Sequence, residues 1–141
     1  MSLVDEMVTR LKTECGDTFK LIERVAQLAD IKVLPIVMPA LYVYVVEEAA
    51  KENERVNEVY QRVEADIACM IITSNVGDPK GGRASSDVEI LKKVIDDTLI
   101  GWQPASAAEA IEYVGGRLAR ANAGAVWWEH TLGAAFYKGE A

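Results

Sequence analysis

The chain has 141 residues, half of them apolar and 26% charged, with a net charge of −7, so one domain with its own core is expected. The acidic balance and the scattered 15 basic residues argue against nonspecific binding to a nucleic-acid backbone, which takes clustered Lys and Arg. No apolar run reaches the ~20 residues of a membrane span, and the N-terminus opens on an amphipathic segment without an apolar signal core, so a cytosolic protein is expected.

Leu3 to Lys12 reads as a helix: Leu3, Met7 and Leu11 recur every four residues beside Val4 and Val8, and Gly16 is a plausible stop. Phe19 to Ala29 fits helix and strand spacing alike. Leu41 to Val46, rich in Tyr and Val after Pro35 and Pro39, reads as a strand apolar on both faces and therefore central. Val56 to Thr73 is the longest β signal. Val59, Val63, Ala65, Ile67, Cys69 and Ile71 share one face; Tyr60, Arg62, Glu64 and Asp66 share the other. A straight strand of that length would span ~55 Å at ~3.3 Å per residue, so it must bend, bulge or project its amphipathic first half as an arm.

Asn75 to Ser85 reads as an irregular loop with three glycines and Asp78-Pro79. Ser86-Asp87-Val88-Glu89 fits a capping box opening a helix whose core face is Val88, Leu91, Ile95 and Leu99. Glu89 and Lys93 would pair on its flank, and Gly101 would end it. Ala110 to Leu118 and Ala125 to Tyr137 read as two strands turning near Asn122-Ala123-Gly124. With Phe19 to Ala29 taken as a strand, the order helix, three strands, helix, two strands predicts an α+β domain: one mainly antiparallel or mixed sheet packed against two helices.

Little in the chain points to chemistry. His130 is the sole histidine; it reads as a partly buried or edge residue, with no ligands at metal spacing. Asp78-Pro79-Lys80-Gly81-Gly82-Arg83 lacks the order of a phosphate loop, since Lys80 precedes the glycines. It suits a contact loop better. Cys15 and Cys69 form neither a CxxC pair nor a zinc spacing, and a disulfide between them is disfavoured in a reducing compartment. Neighbouring carboxylates such as Glu47-Glu48 and Asp96-Asp97 do not face each other as an acid/base pair would. Trp127 and Trp128 must point to opposite faces of one strand. One would enter the core, and the other would need a partner subunit to cover it.

The ordered string Leu99-Ile-Gly-Trp-Gln-Pro104, Glu112-Tyr-Val-Gly-Gly-Arg-Leu118 and Gly124-Ala-Val-Trp-Trp-Glu129 resembles the tail terminator proteins of tailed bacteriophages and prophages. The resemblance is good over residues 86 to 137 and looser before them. It implies a strand after the first helix, over Phe19 to Gln27. It also implies a structural virion protein without catalysis or cofactor, acting in the tail after assembly in the host cytoplasm. Such a protein forms a ring, usually a hexamer, on the tail tube. It stops tube polymerisation and presents a surface to the head–tail connector, and DNA passes its lumen without specific binding. On that reading the contact residues are Trp127, Trp128, Tyr60, Arg62, Asp78, Lys80 and Arg83. Glu47, Glu48, Glu52, Glu54 and Glu58 would form an acidic lumen that repels phosphate, or else a solvated rim. Two alternatives stand beside it: another ring-forming connector or tail completion protein, and a small α+β enzyme or ligand-binding domain with a polar pocket.

Overall fold

The computed structural model describes residues 2–27, 30–31, 37–74, 82–122 and 124–139, with the side chains of 82–86 and 122 outside that set. Helix α1 spans Leu3–Cys15, then come β1 (Leu21–Arg24), β2 (Ala40–Ala50), β3 (Tyr60–Ser74), α2 (Gly82–Leu99), β4 (Glu112–Asn122) and β5 (Ala125–Gly139). The fold is α+β, with one mixed five-stranded sheet in the order β1-β2-β3-β5-β4. The β1–β2 pair is parallel and the other three are antiparallel.

Helix α1 is capped by Ser2, whose hydroxyl accepts from the Asp5 amide, and it buries Leu3, Val4, Met7, Val8 and Leu11. It runs a turn longer than its apolar stripe suggested, because Cys15 is also buried. Strand β1 is only four residues long, a fragment of the expected Phe19 to Gln27 strand. Phe19 is buried before it begins.

Helix α2 starts at Gly82, so Ser86 lies inside it and is not its cap. Arg83 and Ala84 are strong helix formers and carry the helix past the Ser86 pattern. Of the loop expected at Asn75 to Ser85, residues 82–85 are therefore helical, and residues 75–81, including Asp78 and Lys80, lie outside the described set. The pair expected between Glu89 and Lys93 does not form. Lys92 reaches Glu89 at 3.0 Å, and Lys93 reaches Asp97 at 2.9 Å.

Strand β3 is not a lone arm. It pairs with β5 without interruption from Tyr60↔Gly139 to Ser74↔Ala125. The irregularity falls in β2, between Val45 and Glu47, where an extra residue lets the twisted sheet continue. Beyond that bulge the ends of β2, β3 and β5 form a three-stranded ribbon.

The sheet is buried on both faces. Under the helices lie Leu41, Val43, Ile67, Cys69, Ile71 and Leu132, packed with Met7, Leu11, Ile95 and Leu99. On the other face Tyr42, Tyr44, Met70, Ile72 and Trp127 pack with Ile31, Leu21, Val25 and Met38. Val25, Ile31 and Met38, from between β1 and β2, thus help cover the second face. This corrects the expectation that an aromatic on that face needs a partner subunit.

Candidate assembly interface

His130 is 1% exposed, in an interior strand rather than at an edge. Its Nδ1 accepts from Trp128 Nε1 at 3.3 Å, and its Nε2 lies 2.7 Å from Asp96 Oδ1. Indole N–H is donor only, so Nδ1 must be the acceptor, and the proton sits on Nε2 facing Asp96. Cys69 stands directly across from His130 in the β3–β5 register. Burial pushes its thiol up to about 12, so it stays protonated near neutrality. Both imidazole nitrogens are already engaged. His130 is thus held between Trp128 and Asp96, and Cys69 remains a buried thiol across the strand from it. Cys15 is also a free, buried thiol, in contact with Thr98 Oγ1 at 3.0 Å. Among the described residues no group of His, Cys, Asp or Glu is arranged to hold a metal ion.

Trp102 and Trp128 serve the same packing. Arg10 stacks on Trp102 at 4.6 Å and donates to the Thr98 carbonyl at 2.7 Å, tying α1 to the end of α2. Trp128 lies under Lys92 at 4.3 Å. A Cβ at Gly116 would come within 2.7 Å of its ring, so the second glycine of the β4 pair makes room for the indole. Trp127 is 2% exposed, with Arg120 over its ring at 4.3 Å. Its burial leaves it no free surface in the single chain, whereas Trp128 is half-buried and faces the helix side.

Exposed chemistry gathers in two places. The first is the ribbon, where Tyr60 stacks on Tyr137 with centroids 4.8 Å apart and Arg55 lies over Tyr60. Arg62 bonds to Glu109 and Glu64. The Glu109 carboxylate is the chief reason its guanidinium holds its proton more tightly than usual. Tyr60 and Arg62 thus come together as the sequence suggested. Tyr137 and Arg55 join them, which only the register reveals. An open groove of about 470 Å³ lies here between the tyrosines and Glu52 and Glu54. Glu47, Glu48, Glu52 and Glu54 are exposed, and Glu58 is half-buried against Arg55 at 2.9 Å. Glu47 pairs with Asp66 and Glu48 with Ala65, so the two carboxylates lie on opposite faces of the sheet.

The second place is β4, the long outer strand. It exposes Tyr113, Val114 and Leu118 at 49–55%. Arg117 bridges to Glu129 at 3.0 Å, and Glu129 also accepts from the Tyr44 hydroxyl at 2.6 Å. Burial, then that carboxylate, push the Tyr44 hydroxyl well above the ordinary tyrosine range. Sequence reasoning missed this strand as a surface, since apolar residues alternating on a strand read as core. Of the remaining expected contacts, Arg83 lies in α2 with its side chain outside the described set.

Comparison with known proteins agrees with this picture. No curated protein matches the chain. Among solved structures, a chain from the virion of a native gene transfer agent particle is similar, with a TM-score of 0.61 and 12% identity over 97% of this chain and 96% of that one. A second structure has a TM-score of 0.55 and 12% identity, covering 100% of this chain and 97% of the other. These likenesses show the fold. The family described as phage tail terminator protein matches residues 3–138, and the chain belongs to the phage tail terminator family.

Proposed function

We propose that this protein is a non-catalytic virion component that assembles as a ring, hexameric on the tail, at the end of the tail tube. There it stops tube polymerisation and presents a surface for the head-side connector. The observation that carries this reading is the family match over residues 3–138. The buried His130, with both ring nitrogens already engaged by Trp128 and Asp96, favours it over an enzyme that would use this imidazole. Exposed apolar side chains on β4 and the aromatic ribbon supply contact chemistry. Carboxylates around the 51–59 connection, Glu52, Glu54 and Glu58, line the lumen and keep DNA from adhering to it.

Electron microscopy of cognate tail tube protein polymerising with and without this chain tests the proposal. Added protein should cap tube ends and narrow the length distribution. Tubes of unchanged length with bare ends would refute it. A connector or completion protein would instead bind only tubes that are already capped.

A further inference from the structure

A head-to-tail ring needs two different surfaces on each copy that fit one another. We infer that the β4 edge of one copy docks beside the free half of β2 in the next copy. Leu118 then seats in a notch under α1, and Arg120 lies beside Glu47. This inference rests on the ring reading above and names its contact.

Among the described residues several stretches lack a strand partner on one side: the outer edges of β1 and β4, the end of β5 past Gly133, and the ribbon half of β2. β1 pairs only with Ala40 to Val43, so Val45 and Glu47 to Ala50 pair with β3 alone. The β4 edge and this half of β2 are the two whose side chains match. Open strand edges invite pairing and are normally protected. Both stretches carry bulges, in β2 after Val45 and in β4 after Tyr113 and Leu118. The bulges discourage indiscriminate zipping, so side chains must supply the match.

The side chains match on both faces at once. Leu118 pairs with Trp128 across β4–β5, which places it on the helix side, 55% exposed. An apolar notch of about 280 Å³ opens on the helix side of β2's free half, between Leu3, Val45, Ile67 and Phe136, with Glu48 at its rim. On the opposite face Arg120 pairs with Trp127, and Glu47 lies on that same face through its pairing with Asp66. If the sheet continues from copy to copy with helices on one side, Leu118 meets the notch and Arg120 meets Glu47 together. The charges also fit. After Glu112 at its start, β4 has two arginines and no acid up to Asn122, in a chain of net charge −7, whereas β2's free half carries Glu47-Glu48 and no base. Exposed ion pairs add little affinity. Here they set register and partner choice, while burial of Leu118 supplies the attraction.

Paired cysteines test this in the full chain, since native Cys15 and Cys69 are buried. Leu118→Cys and Glu48→Cys are made singly and together, then oxidised with diamide, free at high concentration and on tubes. The inference predicts a reducible ladder of covalent oligomers from the double variant, ending at the ring number. Each single variant should stay monomeric. Dimers from either single variant would mean a two-fold contact and overturn the inference. So would a double variant that gives no ladder on tubes that it caps. A ladder free in solution together with wild-type protein that leaves tubes uncapped would keep the head-to-tail contact and reject the terminator reading. Loss of both would reject both. As a second arm, Arg120→Glu or Glu47→Arg should each raise the protein concentration needed for half-capping by about fivefold, and the two together should restore it. Failure of that rescue counts against the Arg120–Glu47 contact.

Discussion

Strands β2, β3 and β5 each run through two environments, and the contrast between their halves is the most informative feature of the molecule. From Ala40 to Tyr44 and from Ile67 to Thr73 nearly every side chain is buried, on both faces. Past the bulge at Val46 the same strands carry Glu47, Glu48, Glu64, Tyr137 and Lys138, most of them exposed. The backbone ladder does not change; its cover does. The helices on one face, and Val25, Ile31 and Met38 on the other, pack mainly over the first half; α1 reaches the second only through Leu3 and Val4, beside Ala65 and Phe136. The first half has the packing of a core that fixes the fold. The second, with the β4 edge, has what a core never keeps: exposed aromatics, unpaired edge and charge.

Substitutions can break or sharpen this contrast. The largest effect should come from Trp127→Ala, which empties a fully buried site in the covered half and should cost about 3–5 kcal/mol in denaturant unfolding. Trp128→Ala should cost less, about 2–3 kcal/mol, from lost packing and a His130 nitrogen left without its donor. Equal losses for both would show that the two faces are not packed as described. Gly116→Ala should follow, at about 1–3 kcal/mol, because its new methyl would meet the Trp128 ring.

Tyr44→Phe removes the bond to Glu129 and should cost about 1 kcal/mol at neutral pH. The wild-type hydroxyl titrates higher in the folded than in the unfolded protein. Its contribution is therefore complete below pH ~10, where unfolded tyrosine is still protonated, and falls as pH rises above that value. Unfolding followed through the alkaline range should show a decline that Tyr44→Phe lessens. In the ribbon, Tyr137→Ala should change stability by no more than about 0.5 kcal/mol. A loss comparable to that of Trp127→Ala would erase the distinction between the halves.

Apart from β1, which spacing left open and only the family resemblance supplied, the order of elements was readable from periodicity, since long apolar alternation and four-residue spacing each survive folding intact. Strand existence at Leu41 and Ala125 followed directly. What escaped is what register and burial decide. The sequence of Val56 to Thr73 signals a long strand, yet not that β5 would accompany it over its whole length. The Trp127-Trp128 pair correctly implies two faces, yet Val25, Ile31 and Met38, in a stretch with neither strong period nor motif, gave no sign that they would cover one of them. His130 read only as a partly buried or edge residue because its partners Asp96 and Trp128 sit 34 positions before it on a helix and two positions before it on its own strand. Tyr60 and Arg62 were legible as surface because they alternate with apolar neighbours. The β4 surface was not, because an exposed apolar strand has the same alphabet as a buried one.

Hydrogen exchange of the protein, free and bound to cognate tail tubes, tests the central claim most directly. The account predicts that amides in the uncovered regions, residues 45–62 and 112–122, gain protection on tubes, while the covered halves of β2, β3 and β5, already slow, stay unchanged. Binding to tubes without protection in either uncovered region, or no binding at all, would contradict it.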